Sequence, residues 1–433
     1  MKKSLLAVAA IGAFASAAQA QSSVTVYGIL DVGFQGVSTR GPLGTVAAGT
    51  NGAAAGQTFS NVPTNANYTR FNGEGAETTS RLGFRGTEDL GGGTSAFFTA
   101  EFALAPTDNR LGGDANNGIS NRQTFVGLKK NGIGQAAIGT QYTPIHTAVG
   151  RTDPGQQNNM AGNVIYATNT SQGQGETTTS YTVRLNNSLT LQTERYAGFQ
   201  LNGIYNNQSA SSNNTLTGIA TSTNVGGTAG TGYGAGNQIA YGLGLNYVWQ
   251  KLNVDAAFQT LKNTNFGSNV QLASTLPANA TAASPGAASI FGTSVGQDQS
   301  YVGATYDFGI LKAYAQYVNN KVTSNLNSNN YLQRSAQQIG VRSFVTPAIE
   351  VWASGGTGRV NAGVNQGGGN VAGSVLPTGQ STQNFTGYQL GSNYLLSKRT
   401  NLYAIYGSTQ VSSTSVNISE GRSSYGVGLR HTF

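Results

Sequence analysis

Tyr425-Gly-Val-Gly-Leu-Arg-His-Thr-Phe433, the stretch that ends the chain, decides the fold. Tyr425, Val427, Leu429, His431 and Phe433 share one parity, and Ser424, Gly426, Gly428, Arg430 and Thr432 share the other. That spacing predicts a strand with one apolar, aromatic face and one small or polar face. The strand runs to the terminal carboxylate. A soluble protein rarely ends this way. In a barrel set in lipid the outer face of such a strand meets hydrocarbon and the inner face meets water.

The same alternation recurs upstream. Val24, Val26, Gly28, Leu30, Val32 and Phe34 oppose Thr25, Tyr27 and Asp31. Leu82 and Phe84 oppose Arg81, Gly83 and Arg85, and Ala96, Phe98, Ala100, Phe102 and Leu104 oppose Ser95, Thr99 and Glu101. Segments about 121–129 and 135–142 flank the turn Asn131-Gly-Ile-Gly134, with a parity the residues leave open. Leu185, Leu189 and Leu191 oppose Arg184, Asn186, Ser188, Thr190 and Gln192. Alternation is clearest where Ile239, Tyr241, Leu243, Leu245, Tyr247 and Trp249 face away from Gln238, Ala240, Gly242, Gly244 and Asn246.

Counted through to the C-terminus, with segments near 197–207, 252–258, 299–320, 335–356 and 385–409, the chain predicts sixteen strands. Short turns and long connections alternate, the long ones falling near 39–78, 106–120, 143–182, 208–236, 263–298, 321–334, 357–384 and 410–421. Short turns at one end and long loops at the other mark a transmembrane barrel. A soluble sandwich mixes loop lengths at both ends. Segments of ~10 residues cross hydrocarbon when tilted. Lipid satisfies no free amide, so every strand must pair on both sides and the last must close on the first. Tyr247, Trp249, Phe308 and Phe433, all at strand ends, suit an interfacial aromatic girdle. The expected fold class is all-β, a transmembrane antiparallel β-barrel.

Composition narrows the function. Residues 1–20 read as a secretory signal: Lys2 and Lys3, an apolar run from Leu5 to Ala17, and Ala18-Gln19-Ala20 as the cleavage site. The barrel is then expected to occupy residues 21–433. Cysteine is absent, which removes disulfides and thiolate metal sites. Charged residues are 9 % of the chain and glycines number 61, so a conventional packed core is not expected, while 20 Tyr and 17 Phe argue against disorder. Net charge is +8, but the cations are scattered singly, so nucleic acid is not an expected partner. Only His146 and His431 are available as imidazole bases, with no carboxylate pair beside them; neither enzyme activity nor a cofactor is expected.

Ser23-Val-Thr-Val-Tyr-Gly-Ile-Leu-Asp31, Ser80-Arg-Leu-Gly-Phe-Arg-Gly-Thr-Glu-Asp-Leu-Gly-Gly-Gly93, Asn121-Arg-Gln-Thr-Phe-Val-Gly-Leu128 and the closing Gly428-Leu-Arg-His-Thr-Phe433 bracket the chain. Together, in this order, they resemble the trimeric general diffusion porins of Gram-negative outer membranes, the β-proteobacterial type above all. The resemblance implies a homotrimer in outer-membrane lipid and a third long loop folded into the lumen. It also implies passive diffusion of small hydrophilic solutes and ions, and recognition of terminal Phe433 by the barrel assembly machinery. One departure is Thr140, where relatives often carry arginine.

In such a channel a few charges at a narrowing set selectivity, because low-dielectric walls focus their field. The wall candidates are Arg81, Arg85 and Arg184 on polar parities, with Arg122 as a further cation of open parity. Asp153, then Glu176, are the acidic candidates on the third loop. Phe433, Leu429 and Tyr425 are expected to close the barrel and carry the assembly signal. Outward glycines such as Gly28 are candidates for contact between barrels. A net positive lumen predicts mild anion preference. A substrate-specific channel and a surface adhesin on the same barrel are the alternatives.

Overall fold

The computed structural model describes residues 23–42, 63–109, 111–112, 120–167, 180–209, 236–265, 294–364, 379–413 and 418–433. Residues 1–20, the expected signal, and Glu176 lie outside them. The elements in chain order are β1 (Ser23–Pro42), β2 (Pro63–Asn72), β3 (Arg81–Gly91), β4 (Thr94–Ala103), β5 (Asn121–Lys130), β6 (Gly134–Tyr142), α1 (Pro144–Thr152), β7 (Arg184–Thr193) and β8 (Phe199–Ser209). They continue as β9 (Gly236–Trp249), β10 (Leu252–Asn265), β11 (Ser294–Asp307), β12 (Lys312–Ser324), β13 (Tyr331–Thr346), β14 (Ile349–Val364), β15 (Gly379–Leu395), β16 (Thr400–Ser413) and β17 (Ile418–Thr432).

Consecutive strands pair antiparallel except β2 and β3, which each pair with β1, and β1 also pairs β17, which closes the sheet. Leu429 lies opposite Val32 and Tyr425 opposite Gly36. Gly28 and Phe433 exchange two backbone hydrogen bonds of 3.1 Å. β2 and β3 both pair with β1, at its two ends, so they form one interrupted stave and the barrel has sixteen staves. Among the described residues no helix is long and apolar enough to cross a membrane.

Burial is inverted relative to a soluble protein. Leu243 is 72 % and Ile339 70 % exposed, while Gln299 and Gln389 are fully buried. The pleat sends alternate residues to opposite faces, so apolar positions cover the outside and amides line the inside. Inward amides pair with one another, as Gln259 Nε2 does with Gln299 Oε1 at 2.6 Å. Outward aromatics gather near the short turns: Phe199 stacks on Tyr247 at 4.3 Å, and Tyr306 meets Phe308 edge-on at 4.7 Å.

Four expectations are corrected. β2 lies inside the connection expected at 39–78, and the connection expected at 321–334 shrinks to residues 325–330 between β12 and β13. In both places the ladder continues after the outward parity has turned polar, with Asn65, Asn67 and Thr69 in β2 and Lys321, Thr323 and Gln333 in β12 and β13, so the hydropathy signal fades before the pairing does. Leu185 does not face outward. Asn187 takes φ 45°, the ladder shifts between Gly139 and Gln141, and Leu185 packs inside with Ile204, Ala240 and Leu261. Such a bulge switches the face a side chain occupies. Finally, the outer side of Gly28 is not bare: a Cβ there would lie 2.3 Å from the Phe433 ring. The glycine makes room for the terminal aromatic of its own chain. Gly36 with Tyr425 and Gly83 with Tyr27 repeat this cross-strand pairing of glycine and ring, a device that protects glycine in sheets.

Candidate pore constriction

Residues 143–167, which follow β6, enter the barrel. Thr143 caps α1, its Oγ1 accepting from His146 N at 3.3 Å, and Pro144 sits where a missing N–H costs nothing. Ile145, Ala148, Val149 and Thr152 form the buried face, which packs on the inner side of β10 and β11. An apolar cluster joins Ile145, Val149, Val164, Ile165 and Tyr181 to inward Val318, Val322 and Phe385.

Beyond the helix the loop runs along a trough of inward glycines. A Cβ on Gly340 would lie 2.5 Å from Pro154, and one on Gly407 would lie 1.9 Å from the Ala161 carbonyl oxygen. Side chains there would lift the loop off the wall. Gln389 Nε2 donates to Met160 O at 3.0 Å and Ala161 O at 2.8 Å, and Ser424 Oγ accepts from Ala161 N at 2.9 Å. Arg334 Nη2 donates to Val164 O, and Arg342 Nη1 to Pro154 O, both at 2.7 Å.

Residues 73–80, between β2 and β3, turn inward to hold the loop from the other side. Asp31 fixes this turn by accepting from Thr78 N at 2.7 Å and Glu77 N at 3.1 Å. The turn in turn accepts from Asn159, whose N reaches Ala76 O at 3.0 Å and whose Nδ2 reaches Gly75 O at 2.9 Å.

Asp153 is 2 % exposed. It accepts from Gln157 N at 2.6 Å, from Asn163 Nδ2 at 3.0 Å and from Gln338 Nε2 at 3.2 Å. The carboxylate therefore points into the loop's anchorage and not at open lumen. Burial raises its pKa against those hydrogen bonds. His146 is also enclosed. Burial first, then Arg184, Arg122 and Arg81, hold its pKa well below the usual histidine value, so the ring is neutral.

The arginines occupy the opposite wall. Arg81 and Arg122 share Glu101, at 3.6 and 2.8 Å. Arg122 turns inward because the β4–β5 ladder shifts register between Glu101 and Phe102, which is why its parity is illegible in the sequence. Its Nη2 also donates to the Tyr142 hydroxyl at 2.9 Å. Arg184 stands over the Tyr142 ring at 6.0 Å. Arg85 sits nearer the short-turn end, exposed, over the Tyr27 ring at 5.3 Å. Thr140 pairs with Thr124 in the ladder and accepts a 3.4 Å hydrogen bond from Asn121, so no cation stands there.

Two arginines that sequence reasoning missed complete the picture. Arg151, at the end of α1, pairs with Asp255 on β10 at 2.7 Å, and Arg430 on β17 approaches Glu77 at 3.8 Å. Three of these pairs share one asymmetry. Arg81, Arg151 and Arg430 keep 17, 29 and 26 % of their side chains accessible, while Glu101, Asp255 and Glu77 keep 5, 1 and 8 %. Each cation faces the lumen and each carboxylate is covered. Arg342 and Glu350 are nearly closed on both sides, at 8 and 14 %.

A closed barrel with an apolar exterior and a charged interior, narrowed by an inserted loop, is a membrane channel built from strands. The chain belongs to the Gram-negative porin family, whose model matches residues 7–414. It is 30 % identical, over the full length of both chains, to an outer membrane porin protein of Bordetella pertussis. It is 33 % identical over 199 residues to outer membrane porin protein 32 of Delftia acidovorans, a match covering 46 % of this chain and 48 % of the relative. Among solved structures, the anion-selective porin from Comamonas acidovorans superimposes with a TM-score of 0.58 at 20 % identity, covering 95 % of this chain and all of that one. OmpT of Vibrio cholerae, solved in a trimer form, gives 0.53 at 14 % identity, with 95 % of this chain and 99 % of that one covered. The protein is an outer-membrane porin, a channel through the Gram-negative outer membrane.

Proposed function

We propose that this porin is a general diffusion channel for small hydrophilic solutes with a preference for anions. The observation that carries the reading is the asymmetry of the lumen ion pairs, guanidinium toward water and carboxylate away. A mobile ion then meets positive charge first, and low-dielectric walls focus that field. The anion selectivity named for the Comamonas porin accords with this. Arg81, Arg151 and Arg430 are the residues proposed to set the field. Arg122 and Arg184 stiffen the wall behind them, Arg85 lies toward the short-turn mouth, and Asp153 anchors the loop. No catalytic step and no cofactor enters the reading.

The proposal includes a homotrimer in outer-membrane lipid, the trimer form of the Vibrio relative being its support. It also includes removal of residues 1–20 and delivery of Phe433 to the outer-membrane assembly machinery. Reversal potential in a KCl gradient, measured on detergent-purified protein in planar bilayers, tests the selectivity. Chloride is expected to outrun potassium, and the conducting species is expected to have the native mass of three processed chains. A potassium preference would reject the anion reading, and a conducting single chain would reject the trimer.

A further inference from the structure

A second cluster of lumen residues lies away from the arginine–loop narrowing, at the end where the short turns are. There β1, β3, β4, β5 and β6 enclose a hollow of about 380 Å³, the size of small-ligand pockets. Thr25, Arg85, Phe97, Thr99, Lys129 and Gln135 line it. The ladder sets Arg85 opposite Thr25 on one side and Thr99 on the other, and Phe97 opposite Thr87, so all of these share the inward face. None of Arg81, Arg122, Arg184 or Asp153 lines it.

Two features mark the hollow. Phe97 is a half-buried aromatic that lines it on the same inward face as Arg85. Its position is fixed, because its ring lies 2.6 Å from where a Cβ on Gly127 would be and meets Phe125 edge-on at 6.2 Å. Arg85 is exposed, and among the described residues no carboxylate forms an ion pair with it. Lys129, by contrast, is held by Glu194 at 3.4 Å. Arg85 and Phe97 are diagonal neighbours across the β3–β4 ladder, close enough for a long side chain and a ring to meet the same small molecule.

We propose that this hollow is a binding site for aromatic carboxylates, resting on the reading that the lumen conducts. The ring packs on Phe97, backed by Phe125, and the carboxylate takes the Arg85 guanidinium. Thr25, Thr99 and Gln135 supply partners for ring hydroxyls. An inorganic anion finds the charge without using the ring, and a neutral aromatic finds the ring without using the charge, so the pair selects solutes that carry both. Benzoate is the minimal probe.

Benzoate added to the protein conducting KCl in a planar bilayer is expected to reduce the current saturably, whereas acetate at the same concentration is not. Phe97→Leu is expected to raise the half-blocking concentration about three- to tenfold, the size of an aromatic pair, with KCl conductance retained. Arg85→Gln is expected to raise it about tenfold or more. A conducting channel that treats benzoate and acetate alike overturns the site and leaves the channel standing. So does a block that survives Phe97→Leu and is abolished by Arg122→Gln, which would put benzoate at the narrowing. A folded protein that carries no KCl current would overturn the channel reading and the site with it.

Discussion

Replacing Arg81, Arg151 and Arg430 together by glutamine is expected to abolish the proposed anion preference in favour of cations, so that the reversal potential in a KCl gradient changes sign. Each substitution removes the accessible half of a pair and leaves Glu101, Asp255 or Glu77 behind. A unit charge about 4 Å from the ion path is worth ~1 kcal/mol even at the dielectric constant of water, roughly fivefold in local ion occupancy. Three such changes along one passage exceed a mild preference. The barrel tolerates them because its ladder is backbone, and Glu101 keeps Arg122 at 2.8 Å. Single variants are expected to move the potential in the same direction by smaller steps. An unchanged potential in the triple variant would mean that the covered carboxylates and exposed guanidiniums do not set the field.

Asp153→Ala is expected to loosen the third loop without unfolding the barrel. The substitution strands the donors of Gln157, Asn163 and Gln338, and each buried orphan costs about 1–3 kcal/mol. Single-channel records should then show broadened step sizes and frequent flicker, while circular dichroism and the folded electrophoretic form stay as in the wild type. Asp153→Asn is expected to behave similarly, since an amide nitrogen would confront the same donors. Wild-type noise in both variants would show that the loop is held elsewhere, by Gln389 and Arg334.

These two expectations differ in how far the sequence foreshadowed them. The alternation in Tyr425–Phe433 and Ile239–Trp249 is legible because hydrocarbon outside and water inside impose a two-residue period that no register shift interrupts within these two strands. Arg81 and Arg85 follow from it directly. Arg430 stands on the same polar parity of the quoted strand, though nothing local marks it above its neighbours. Parity fails where a ladder slips a residue, as at Arg122 and Leu185, because the bulge is set by cross-strand geometry. Arg151 was hidden because its partner Asp255 is distant in sequence, and β2 because Asn65, Asn67 and Thr69 make most of its outward parity polar. The helix α1 did carry a signal: Thr143-Pro144 as cap and first turn, then Ile145, Ala148, Val149 and Thr152 at helical spacing. The glycine trough carried none, since inward glycines read equally well as a plain wet wall. Gly340 and Gly407 are explained only by the loop backbone lying against them.

All of this depends on which residues are wet. The chain has no cysteine, so single cysteines can be placed one at a time along β4 and each tested in the membrane with a charged, water-soluble thiol reagent. The account predicts that Ser95→Cys and Thr99→Cys react and change the single-channel current, and that Phe98→Cys and Ala100→Cys, facing lipid, do not. Equal reactivity at all four positions, or reactivity on the even positions alone, would contradict it.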